Sequence, residues 1–118
     1  MIQSYEDLDV YHKSYNSALR VHVMTKGFPK EEMFGISGQI KRAALSIPLN
    51  IAEGYGKRAS AAEFKRFLAM SKGSCNEVLV LLQFSKDLGY IDENSCNALK
   101  AVYDEIGRML YGLMTSWK

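Results

Sequence analysis

The chain has 118 residues, 47% of them apolar and 24% charged, with a net charge of +2. That length suits one domain, 1–118, because a split would leave two pieces each too small to bury a core, and the apolar share excludes a disordered chain. No run of 18 apolar residues occurs, which excludes a membrane-spanning helix.

The first predicted helix runs from about Tyr5 to Lys26, with Leu8, Tyr11, Tyr15, Ala18, Leu19 and His22 recurring three and four residues apart. Acidic Glu6, Asp7 and Asp9 suit its first turn, and Gly27-Phe28-Pro29 ends it. The second begins near Lys30 or Glu31, carries Phe34, Ile36, Ile40, Ala43, Ala44, Ile47, Ile51 and Ala52, and stops between Gly54 and Gly56. Pro48 lies inside it. A proline there removes one backbone donor and crowds the carbonyl of Ala44, so the spacing predicts a kink, with a break into two helices as the alternative. Ser46 and Asn50 flank Pro48 and are expected to bond backbone groups that it leaves open.

The third helix opens on Ser60-Ala-Ala-Glu63, which fits a capping box, and carries Phe64, Phe67, Leu68, Val78, Leu81, Leu82 and Phe84 to Leu88-Gly89. A fourth follows Ile91, with Asp92 as N-cap and Leu99, Val102, Tyr103, Ile106, Met109, Leu110, Leu113 and Met114 on its apolar face. Trp117 is expected at a frayed end. Connections this short set successive helices antiparallel, which gives an all-α, up-down-up-down four-helix bundle. Strand signals are weak.

Val78, Leu79, Val80, Leu81 and Leu82 form an unbroken apolar run, and five consecutive positions go round the whole helix. Such a helix calls for cover on more than one side, so these five are the candidate interface of a homo-oligomer; single exposed apolar residues are the plain alternative. Small residues along the second helix (Gly35, Ser37, Gly38, Ala43, Ala44) and the third (Ala69, Ser71, Gly73, Ser74, Cys75) suggest close helix approach, or else tolerated surface positions.

Charge is uneven along the chain. Residues 41–72 hold seven Lys/Arg against two Asp/Glu, while the segments on either side carry net −1 and −2. Lys41, Arg42, Lys57, Arg58, Lys65 and Arg66 are therefore the candidate nucleic-acid contacts, since unmatched cations neutralise phosphates, and Tyr55 and Phe64 are candidate stacking partners. A solvated basic face is the alternative. Arg42 also admits a structural reading, partly buried with Glu53 and Glu77 as carboxylate partners.

Two cysteines, Cys75 and Cys96, have neither CxxC nor zinc spacing and read as free thiols of a reducing compartment. The acidic N-terminal stretch lacks a secretory pattern, so a cytoplasmic location is expected. Nucleotide-binding, hydrolase and metalloprotease motifs are missing, as is the Glu-x-x-His of di-iron bundles, so no catalytic residue, metal or cofactor is expected. His22, on the apolar stripe, reads as a core histidine.

Phe28-Pro29, Glu32, Phe34-Gly35, Gln39 to Ala44, Ser46-Ile47-Pro48, Asn50 to Gly54, Phe67-Leu68, Gly73-Ser74 and Glu77 together resemble the four-helix-bundle proteins known as the S23, or 23S rRNA intervening-sequence, family. The most specific element is SIPxNIAEG, from Ser46 to Gly54. The resemblance implies a bundle that assembles into a ring, commonly a pentamer, with a role in binding RNA or DNA. Related proteins include the accessory variability determinant of diversity-generating retroelements, so a reverse transcriptase or another protein is an implied partner. Two readings of function follow: an oligomeric nucleic-acid-binding module without enzymatic activity, and a protein–protein scaffold with no nucleic-acid contact.

Overall fold

In the computed structural model, which describes all 118 residues, four α-helices and no strand form the chain: α1 (Asp9–Thr25), α2 (Ile36–Gly56), α3 (Ala61–Asp87) and α4 (Glu93–Ser116). Twenty buried residues, Leu8 and nineteen from the four helices, form one core, including Val21, Ile40, Ile47, Phe64, Leu82, Tyr103 and Leu110. At 1.5 Å per residue α3 alone is about 40 Å long, which accounts for most of the 44 Å long axis of the molecule.

Helix boundaries follow local chemistry. Ser4 and Asp7 form a capping box around a single 3₁₀ turn, Tyr5–Asp7. Leu8 then turns inward in an extended conformation, so α1 starts at Asp9 and not at Tyr5. Another 3₁₀ turn covers Lys30–Glu32, and the non-helical backbone of Gly35 (φ −98°, ψ −121°) delays α2 to Ile36. Phe34, expected on the core stripe, is consequently 87% exposed. The Ser60 hydroxyl accepts from the Glu63 N–H at 3.2 Å, while the Glu63 carboxylate pairs with Arg66 instead of completing the box. Asp92 caps α4 through the Ser95 N–H at 2.6 Å. That bond holds the Asp92 carboxyl below its ordinary range.

Helix α2 continues through Pro48 as one element. The Ser46 hydroxyl donates to the Ala43 carbonyl (2.7 Å) and the Asn50 amide to the Ser46 carbonyl (2.9 Å), on either side of the Ala44 carbonyl that a proline cannot reach.

The inner face of α1 differs from the expected stripe. Val10, Ser14, Ser17, Ala18, Val21 and Thr25 are buried, whereas Tyr15, Leu19 and His22 are exposed. Hydroxyls make this possible: Ser14, Ser17 and Thr25 donate to the carbonyls of Tyr11, Lys13 and His22 in their own helix, so burying them leaves no donor unsatisfied. His22 is therefore a surface residue.

Close helix approach occurs at two of the expected small residues, where Ser71 and Cys75 reach the carbonyls of Ile47 on α2 and Tyr103 on α4 at 2.9 Å each, and also at a glycine outside that set. A Cβ on Gly54 would stand 2.5 Å from the Phe67 Cβ and 3.2 Å from the Phe64 ring, so only glycine lets α2 and α3 meet there. Gly73 has nothing within 4 Å. No helix is long and apolar enough to cross a membrane.

Candidate nucleic-acid interface

The six candidate cations divide between the two ends of α2. From residue 41 to residue 57 the helix rises about 24 Å, so Lys41 and Arg42 stand apart from the group at the α2–α3 corner. Lys41 instead joins Lys26 and Lys30 around a cavity beside the α1–α2 connection. Those two lysines lie outside the basic segment, and the charge count by stretches of chain hid them.

At the corner, two cations lie against the buried Phe67 ring. The Lys57 ammonium is 4.8 Å from its centroid and the Arg66 guanidinium 4.7 Å. Arg58 covers the Tyr55 ring at 4.1 Å and donates to the Tyr55 carbonyl at 3.0 Å. Tyr55 and Phe64 are themselves buried, so neither is open to a stacking base. They pack edge-on against each other and against Trp117, whose ring is 4.7 Å from Phe64 and 6.4 Å from Tyr55. Trp117 is thus docked and not frayed, and it closes this end of the core.

Acids reduce the free charge at the corner. Both Glu63 carboxylate oxygens accept from Arg66, at 2.9 and 3.2 Å, and that hydrogen bonding holds the Glu63 carboxyl below its ordinary range. Glu53 lies 3.8 Å from Lys57. Arg58 and Lys65 have no carboxylate partner within 4 Å. Arg42 is exposed and bonds to neither Glu53 nor Glu77, both of them exposed, so the expected buried Arg–carboxylate cluster is absent. In its place the Arg42 guanidinium lies over Gly38.

The apolar run on α3 is also corrected. Val78 and Leu82 are wholly inside the chain's own core, and Leu79 and Leu81 are half-buried beside it, because α3 is flanked by both α2 and α4. Only Val80 of the five faces outward, at 68% exposure. With Phe84 and Leu88 it forms an exposed stripe of spacing four, matched on α1 by Tyr15, Leu19 and Val23.

Both thiols are buried and free. Cys75 donates to the Tyr103 carbonyl at 2.9 Å, and burial pushes its pKa up to about 11, so it is a poor nucleophile. No three His, Cys, Asp or Glu side chains gather closely enough to hold a metal ion.

This architecture has known counterparts. A protein of unknown function from the S23 ribosomal protein family of Bacteroides thetaiotaomicron, solved as a crystal structure, is 27% identical, with a TM-score of 0.82 over 91% of this chain and 96% of that one. Comparison with curated proteins returns no match. The model of the 23S rRNA-intervening sequence protein family matches residues 6–112, and the chain belongs to that family.

Proposed function

We propose that the chain is a non-enzymatic cytoplasmic module that assembles into a homo-oligomeric ring, a pentamer on the family resemblance, and binds nucleic acid through basic residues repeated around it. The subunit of this reading is an antiparallel up-down-up-down bundle kinked at Pro48. Contacts in reverse order along successive helices support it: Ile47 and Tyr55 of α2 meet Ser71 and Phe64 of α3, and Leu82 and Tyr103 meet Cys96 and Cys75 across α3 and α4.

The observation that carries nucleic-acid binding is Arg58. Its guanidinium is held over the Tyr55 ring and fixed by one carbonyl, with no carboxylate to neutralise it, and Lys57 precedes it while Lys65 stands on the next helix. A fixed, unpaired guanidinium loses little freedom on meeting a phosphate. Fluorescence anisotropy with single-stranded RNA and DNA tests this: log affinity should fall linearly with log salt, with a slope of about −0.7 per neutralised phosphate, and Arg58→Glu with Lys65→Glu should flatten it. Binding insensitive to both salt and substitution overturns the reading.

Self-association rests on the two exposed stripes, Tyr15-Leu19-Val23 and Val80-Phe84-Leu88. Light scattering should give a mass several times 13.3 kDa, and Phe84→Ser should lower it without lowering the stability of the subunit. A strict monomer at micromolar concentration removes the ring. The same stripes favour the second reading, a scaffold for another protein, which predicts no affinity for RNA or DNA at any salt concentration.

A further inference from the structure

We propose that the cavity between the α1–α2 connection and the first turn of α2 binds a phosphate group, held by Ser37, Lys26, Lys30 and Lys41. The cavity has a volume of about 300 Å³, at the small end of ligand sites.

Its chemistry points to an anion. Of six buried serines and threonines, Ser14, Ser17, Thr25, Ser71 and Ser85 each donate to a carbonyl. The sixth, Ser37, is 5% exposed, lines this cavity and has no hydrogen-bond partner in the chain. The residue is buried, but its hydroxyl opens onto the cavity, where a ligand oxygen would supply the acceptor that the chain does not.

Ser37 also lies in the first turn of the 21-residue helix α2. The Ile36 N–H is occupied by Glu32 at 3.5 Å, but those of Ser37 and Gly38 meet no protein acceptor. Helix N-termini present donors and partial positive charge to an anion. Lys41 stands one turn further along the same helix, Lys26 and Lys30 come from the preceding connection, and none of the three belongs to an ion pair. Glu31 and Glu32 do not line the cavity, and the Glu32 carboxylate is bonded by the Tyr90 hydroxyl at 2.7 Å. Three unpaired ammonium groups and the free hydroxyl and N–H of Ser37 match the oxygens of a phosphate better than a carboxylate, which offers fewer acceptor sites. The phosphate belongs either to a nucleic-acid strand or to a small phosphorylated molecule.

The site is independent of the α2–α3 corner. Amide NMR of the full chain, titrated with inorganic phosphate at constant ionic strength, should shift the Ser37 and Gly38 resonances saturably, while chloride leaves them in place. Ser37→Ala and Lys41→Gln should each weaken that response about tenfold, the loss of one hydrogen bond to a charged group, and Arg58→Glu should leave it unchanged. A nucleoside 5′-monophosphate and a single-stranded oligonucleotide form the second arm. Tighter saturation by the mononucleotide supports a small phosphorylated ligand, and tighter saturation by the oligonucleotide supports a strand. No saturable shift with any of the three, an equal shift with chloride, or a response unchanged in both variants overturns the proposal.

Discussion

At the α2–α3 corner, Lys57 and Arg66 lie against Phe67 and are answered by Glu53 and Glu63, whereas at the α1–α2 end Lys26, Lys30 and Lys41 surround a cavity with no carboxylate in pairing range. The first group is dense in sequence, with Lys57 and Arg66 paired and Arg58 and Lys65 free; the second is scattered in sequence and wholly unpaired. Charge density along a chain therefore overstates one end and misses the other. Packing differs in the same sense. Tyr55, Phe64, Phe67 and Trp117 seal the corner end, while the opposite end has the Phe28–Tyr90 pair at 5.3 Å and an exposed Phe34.

The largest expected effect tests that packing contrast. Phe64 is fully buried against Trp117 and Tyr55, so Phe64→Ala should cost about 3–5 kcal/mol in urea unfolding. At the open end Phe34→Ala should stay within about 0.5 kcal/mol. Comparable losses at both positions would mean that Phe34 is covered in the assembled protein and that the two ends are alike.

Gly54→Ala comes next. Its new Cβ would collide with the Phe67 Cβ, which is not the free tip of a flexible side chain, so α2 and α3 must part; overpacking of this kind costs about 1–3 kcal/mol. Gly73→Ala meets open space and should stabilise the subunit by about 1 kcal/mol through helix propensity alone. If Gly73→Ala also lowers the assembled mass, the outer face of α3 is buried between copies.

Much of the architecture was legible. Four helices, the Ser60 and Asp92 caps and the apolar faces of α2 and α4 follow from spacing and punctuation. The inner face of α1 was not, because Ser14, Ser17 and Thr25 satisfy themselves within the helix and sit where apolar residues were sought. The docking of Trp117 is not legible for a different reason: its partners Phe64 and Tyr55 are more than fifty residues away in sequence, and only the fold brings the C-terminus to them. The basic site was half legible. Cations can be counted in a sequence, but Glu63 turning to Arg66 and Lys26 and Lys30 meeting Lys41 depend on geometry.

Midway between the two ends, the Tyr103 hydroxyl is buried with no hydrogen-bond partner in the chain, and burial raises its pKa. Removing a donor that folding leaves unsatisfied should help, so Tyr103→Phe is expected to stabilise by about 1 kcal/mol in the denaturant midpoint. A loss of stability would reveal an internal water serving that hydroxyl.

Glu63→Gln should have the smallest effect on stability and bears most directly on the corner. Its carboxyl is held below the ordinary range, chiefly by the Arg66 hydrogen bond, so the folded state gains from it above about pH 4 and loses that gain as pH falls through the depressed value. The variant should therefore melt with a shallower decline at acid pH than the parent, and match it near neutrality to within the small worth of an exposed pair. The same substitution releases the Arg66 guanidinium. If the corner contacts a nucleic-acid backbone, freeing one cation should tighten RNA binding and steepen the salt dependence by about 0.7 in log–log slope. A flattened acid profile with unchanged RNA binding would leave Glu63 and Arg66 as a pair that only holds the start of α3, and Arg58, Lys65 and the lysines at the other end as the charge available to a ligand.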